Sequence, residues 1–171
     1  MTLPEEFHVL VVTISDRAYR HEYDDLGGPA VKKGLTAFFK HEGWLCNIRT
    51  ELIPDDAGML KELLERAASE YDLIITTGGT GIGPRDITVD IIRPLLTREI
   101  PGIMDFIRIK YAAQNPNSLL SRSIAGIIGE SLIYTLPGSV KAVEEYLSEI
   151  LKTLKHTILM KYGIDAHNKA Q

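Results

Sequence analysis

Ile74-Ile75-Thr76-Thr77-Gly78-Gly79-Thr80-Gly81-Ile82-Gly83-Pro84-Arg85-Asp86 runs an apolar strand into four glycines within six positions and leaves through an Arg-Asp pair. Glycine has no Cβ and tolerates positive φ, so such a loop lets the backbone approach a ligand closely. Its N–H groups converge on an anion as phosphate-binding nests do. The threonines add hydroxyl donors, and Asp86 is a candidate ligand for a hard cation such as Mg²⁺. The stretch reads as a site for phosphates with a metal.

Outward from this loop, the chain alternates strands and helices. Phe7 to Ser15 is mostly β-branched and apolar, as a strand buried on both faces requires. The pattern predicts a helix from Pro29 to Glu42, with Leu35, Phe38 and Phe39 as its apolar stripe and Gly43 as its stop. A strand over Leu45 to Ile53 follows, then a turn at Pro54-Asp55-Asp56 and a helix over Met59 to Glu70. Leu73 to Thr77 is the third strand.

Beyond the loop, helices are expected over Val89 to Leu96 and Ile103 to Gln114, separated by a break at Pro101-Gly102. Ile124 to Ile128 and Ser131 to Leu136 read as a hairpin about Gly129-Glu130, and Val140 to Lys161 as a long final helix. The tail from Ile164 to Gln171 is expected to fray. This order predicts an α/β fold, a three-layer α/β/α sandwich around a mainly parallel sheet with one antiparallel strand. One domain over residues 1–171 is expected, because 171 residues bury a substantial single core.

Composition narrows the function. A 44% hydrophobic and 25% charged chain is ordinary for a globular protein. With a net charge of −4 and no Lys/Arg cluster, nucleic acid is a poor partner, whereas a small phosphorylated ligand needs only a local positive site. The single cysteine, Cys46, lies in an apolar strand and reads as an inert buried thiol. No signal-peptide pattern or membrane-length apolar run occurs, so a cytoplasmic protein that binds no membrane is expected.

Ligands of open α/β sheets collect beyond the carboxyl ends of the strands. Four polar clusters fall at such exits: Ser15-Asp16-Arg17, Pro54-Asp55-Asp56, the glycine loop, and Pro137-Gly138-Ser139. Each also has a plain structural reading. Asp16 suits a turn cap, and Asp55 and Asp56 precede a helix, so capping and metal binding stand equally open for them. Pro137-Gly138-Ser139 suits a helix start, which is also a ready anion site. No Lys follows the glycines as a P-loop demands, and their spacing is not the dinucleotide fingerprint. Hydride transfer is thereby disfavoured.

Together these clusters resemble the molybdopterin-binding family of molybdenum-cofactor biosynthesis, the MogA/MoaB proteins and the G domain of gephyrin. The resemblance rests on Ser15-Asp16-Arg17-Ala18, Asp25-Leu26-Gly27-Gly28-Pro29, Ile53-Pro54-Asp55, Thr77 to Gly81 with Arg85-Asp86-Ile87-Thr88, Ile100-Pro101-Gly102, Ser121 to Gly126, and Leu136-Pro137-Gly138-Ser139. The pieces occur in family order from Val9 to Lys161.

The resemblance implies a molybdopterin adenylyltransferase, with molybdopterin and ATP as substrates. The terminal phosphate of molybdopterin attacks the α-phosphate of MgATP, and pyrophosphate leaves. Asp55 and Asp86 would be the catalytic pair and the Mg²⁺ ligands. Asp16, Thr77, Gly78, Gly79, Thr80, Gly81, Ser123, Pro137, Gly138 and Ser139 would contact the substrates. The resemblance further implies a homotrimer, or a hexamer, that passes its product to a downstream molybdenum insertase. The alternative reading is a non-catalytic molybdopterin carrier of the MoaB type.

Overall fold

The structure is a computed structural model that describes residues 2–164. The tail expected to fray therefore lies, from Asp165 onward, outside the described residues. Six strands form one sheet in the order β2-β1-β3-β6-β5-β4. They are β1 (Glu6–Ile14), β2 (Leu45–Ile53), β3 (Leu73–Thr77), β4 (Arg98–Glu99), β5 (Ala125–Ile128) and β6 (Ser131–Leu136). β2, β1, β3 and β6 pair in parallel. β5 is antiparallel to both neighbours, so it alone runs against the rest. The mainly parallel sheet with one reversed strand is as expected.

Helices α2 (Gly27–Glu42), α3 (Ala57–Glu70), α4 (Thr88–Ile92), α5 (Pro101–Ala112) and α6 (Val140–Lys161) cover the sheet, and α1 (Asp16–Tyr19) is a single turn at one rim. Strand alternation divides the core in two. Phe7, Val9 and Val11 of β1 face α2, α5 and α6, where Leu35, Phe39, Ile107 and Ile150 are buried. Leu10, Val12 and Ile14 face α3 and α4, where Leu60, Leu64 and Ile92 are buried. β2 is an edge strand and carries several exposed residues, which its position explains.

Some boundaries differ from expectation. Gly43 ends α2 in the left-handed conformation (φ 70°), as the sequence indicates. Pro101 does not interrupt a helix but begins α5, because its missing N–H is harmless in the first turn. Pro94 stops α4 early, and Arg93–Leu95 continues as a 3₁₀ turn. β4 was not expected: two exposed residues carry no periodic pattern, and only pairing with β5 makes them a strand. Cys46 is half-buried, and burial raises its thiol pKa, so it stays protonated. Among the described residues no helix is long and apolar enough to cross a membrane.

Candidate active site

Because β2, β1, β3 and β6 are parallel and adjacent, their carboxyl ends share one rim. The four polar clusters of the sequence meet there around a cavity of about 930 Å³. Asp16, Asp55, Thr77, Gly78, Gly79, Asp86, Gly138 and Ser139 line it.

Asp16 and Asp55 lock two strand exits together. The Asp55 N–H donates to Asp16 Oδ1 at 3.0 Å, and the Asp16 N–H donates to Asp55 Oδ2 at 3.4 Å. Arg85 approaches Asp16 at 3.9 Å. Burial pushes the Asp55 carboxyl above its ordinary pKa. The Asp16 N–H bond opposes that rise, the charges of Asp16 and Asp86 add to it, and Arg85 offsets it. Asp56 is the helix cap instead, accepting from the Met59 N–H at 2.8 Å. The two neighbouring aspartates thus divide the roles left open by the sequence: Asp56 caps α3 and Asp55 faces the cavity.

The glycine loop is held close to its surroundings. Gly78 has φ 103°, and a Cβ there would lie 2.2 Å from the Ile14 carbonyl oxygen. Only glycine lets β3 leave the sheet this close to β1. The Asp86 carboxylate folds back over the loop and accepts from the Gly83 N–H at 2.8 Å. Arg122 ties the loop from outside, donating to the Gly81 and Asp86 carbonyls at 2.7 Å each and to both oxygens of Asp90.

Four residues expected to touch substrate do not line the cavity. Thr80 is buried, and its carbonyl accepts from the Arg122 N–H. Gly81 packs against Asp86. Ser123 is fully buried; its hydroxyl accepts from Ser121 and its carbonyl from Arg108. Pro137 contributes a carbonyl to the Thr77 hydroxyl at 2.9 Å. The Gly78 amide is also not free to cradle an anion, since it donates to the Leu136 carbonyl. Ser139 does both jobs, capping α6 through Ala142 while lining the cavity.

The sequence reading gave no role to Arg122, which it quoted only within the family motif, or to Glu22, Tyr23 and Asp24 of the cavity wall. The Asp25-Leu26-Gly27-Gly28-Pro29 motif was the available signal for part of that wall. Asp25 accepts from the Thr13 hydroxyl and the Gly28 N–H, fixing the start of α2 at the rim.

Six carboxylates line the cavity (Asp16, Glu22, Asp24, Asp25, Asp55 and Asp86) against the two guanidiniums of Arg17 and Arg85. Such a surface repels a bare phosphate and admits one accompanied by a cation. Among the described residues no group of three or more Asp, Glu, His or Cys side chains could hold a metal by itself. A hard cation here would complete its oxygen shell from phosphate, as Mg²⁺ commonly does. The residues fit a cation that arrives with its substrate.

The chain matches the family described as "Probable molybdopterin binding domain" over residues 10–156. It is 31% identical to the "Molybdopterin adenylyltransferase" of Helicobacter pylori, covering 93% of this chain and 90% of that protein. It is 38% identical to Dictyostelium discoideum gephyrin over 90% of this chain, which spans only 22% of that longer protein. The crystal structure of the molybdopterin biosynthesis enzyme MoaB of Thermus thermophilus superposes with a TM-score of 0.81 at 36% identity, covering 92% of this chain and 97% of that one.

Proposed function

Since the chain belongs to the molybdopterin-binding domain family, we propose that it is a molybdopterin adenylyltransferase of molybdenum-cofactor biosynthesis, acting in the cytoplasm as one molybdopterin-binding domain. The observation that carries this reading is the meeting of Asp55 and Asp86, from two separate strand exits, beside a glycine loop in one cavity. The reaction joins two anions, so positioning and charge neutralisation supply most of its acceleration.

The terminal phosphate of molybdopterin attacks the α-phosphate of ATP, a phosphoanhydride forms, and pyrophosphate leaves. Asp55 and Asp86 would hold the Mg²⁺ that accompanies ATP, which when bound would supply charge neutralisation at the reacting phosphates. Asp16 keeps Asp55 in place through the paired backbone bonds. Arg85, at the exit of the loop, brings positive charge to the cavity. Arg122 keeps the loop and the Asp86 backbone from moving as charge shifts. The start of α6 at Ser139 presents amide dipoles to an anion.

We further propose a homotrimer. Phe106, Ile109, Leu119 and Leu120, on α5 and the turn after it, are large apolar residues left exposed in the single chain, and assembly would cover them. A mass near three times 19.0 kDa by light scattering supports the trimer, and a monomer refutes it. The product then passes to a molybdenum insertase.

Pyrophosphate release on mixing the protein with molybdopterin and MgATP tests the enzyme reading against the carrier reading. The transferase releases pyrophosphate only when the pterin is present. A carrier binds the pterin and releases none. Asp86→Asn is expected to abolish release while sparing pterin binding, and near-native turnover in that variant removes Asp86 from the mechanism.

A further inference from the structure

One wall of the cavity is built by the turn that follows β1. α1 ends in a Schellman motif: the Glu22 N–H donates to the Arg17 carbonyl at 2.9 Å, and the His21 N–H donates to the Ala18 carbonyl at 3.0 Å. The residue in the left-handed position is His21, with φ 57°, where glycine is the usual occupant. No other non-glycine residue among those described has positive φ. Strain of this kind persists where the surrounding structure requires it and gathers at ligand clamps.

The turn carries Tyr23 back over the end of β1. The Tyr23 hydroxyl lies 2.9 Å from Ser15 Oγ. The Arg17 guanidinium sits over the ring, 5.0 Å from its centroid. Arg17 makes no ion pair among the described residues, although carboxylates are close by. Tyr23 is thus held at both its hydroxyl and its ring, yet remains 45% exposed and lines the cavity together with Arg17.

We propose that Tyr23, with Arg17 against its ring, is the stacking platform of this cavity for a planar nitrogen heterocycle that carries phosphate. The proposal rests on the transferase reading, in which both substrates have that chemistry, one as a nucleotide and one as a pterin. An aromatic face accepts such rings whatever their edge pattern, and a guanidinium beside it adds a positive charge within reach of the phosphate tail. The ring is thereby oriented while the phosphate tail extends toward Asp55 and Asp86, which line the same cavity. Tyr23 is a binding residue for the unreactive part of a substrate.

Calorimetric titration of the wild type and Tyr23→Ala with MgATP, with molybdopterin, and with magnesium pyrophosphate as a ring-free control tests the proposal. Tyr23→Ala is expected to weaken one of the two ring ligands by about tenfold, with pyrophosphate affinity changed by less than about twofold. The arm that moves identifies the ring. Tyr23→Phe, which keeps the ring and loses the Ser15 contact, is expected to recover most of the lost affinity. Thermal melts check that each variant is folded. Unchanged affinity of Tyr23→Ala for both ring ligands overturns the proposal, as does an equal loss for pyrophosphate. If the wild type transfers adenylate normally while Tyr23→Ala binds like wild type, only the platform is refuted. A wild type that binds neither ring ligand refutes the transferase reading and the platform together.

Discussion

Gly81→Ala probes the proposed catalytic centre without touching either aspartate. A Cβ at this position would stand 2.7 Å from Asp86 Oδ2 and 3.1 Å from its Cγ. Comfortable non-bonded separation is about 3.5 Å, so the carboxylate must retreat by roughly 0.4–0.8 Å. Gly81 does not have positive φ, so the substitution adds no backbone strain and its effect is confined to this contact. The displaced carboxylate also stretches its 2.8 Å bond from the Gly83 N–H, a loss of about 1 kcal/mol in stability.

A misplacement of about 1 Å costs on the order of a hundredfold in rate, so about tenfold is expected here. The assay is kcat for pyrophosphate release under saturating molybdopterin and MgATP, with a thermal melt in parallel. Gly102→Ala is the control, because nothing lies within 4 Å of the added methyl in α5. It is expected to keep kcat and to gain up to about 1 kcal/mol from helix propensity. A folded Gly81→Ala protein with kcat within about twofold of wild type would show that the position of Asp86 does not govern the chemistry.

Arg122→Met removes the donors that tie Gly81, Asp86 and Asp90, so kcat should fall by about ten- to a hundredfold with a smaller change in KM; an unchanged kcat would leave the clamp without a catalytic role. Thr76 Oγ1 is buried without a hydrogen-bond partner among the described residues, so Thr76→Val should raise stability by about 1 kcal/mol and Tm by about 2–4 °C, whereas a lower Tm contradicts the orphaned hydroxyl. Glu149, 5% exposed between α5 and α6, is held at a pKa of about 2 by Lys110 at 2.6 Å and by Lys152 at 2.9 Å. Its contribution is present above the usual 4.5 and is lost as pH falls from there toward about 2. The lysine partners reach into solvent, which discounts the effect to about 1 kcal/mol. Urea unfolding at pH 6 and pH 3 should show a smaller acid loss in Glu149→Gln, and an identical loss in both proteins would reject this bridge.

Local sequence patterns carried a good deal of the fold. The apolar β-branched runs give β1, β3 and β6 because a buried strand admits little else. Gly43 and the Gly129-Glu130 turn are legible because backbone conformation restricts the residues that can occupy them. α1 and β4 were not legible, since four residues and two residues carry no period. Inside the glycine loop, a chain without period gives no clue to the side on which a threonine hydroxyl lies. Thr80 therefore reads as a ligand contact while it is in fact buried. Ser123 came from the family resemblance, and its hydroxyl is taken up by Ser121.

From the chain alone come the parallel α/β architecture, the glycine loop, and the candidacy of Asp16, Asp55 and Asp86, because strand burial and turn chemistry are set by neighbours along the backbone. Tertiary structure decided that Asp55 faces the cavity while Asp56 caps a helix, that Arg122 grips the loop from 41 residues away, and that Tyr23 returns over Arg17. Those outcomes depend on which strand exits become neighbours and on the direction of each side chain once they do, and contacts between distant segments leave no mark in local spacing.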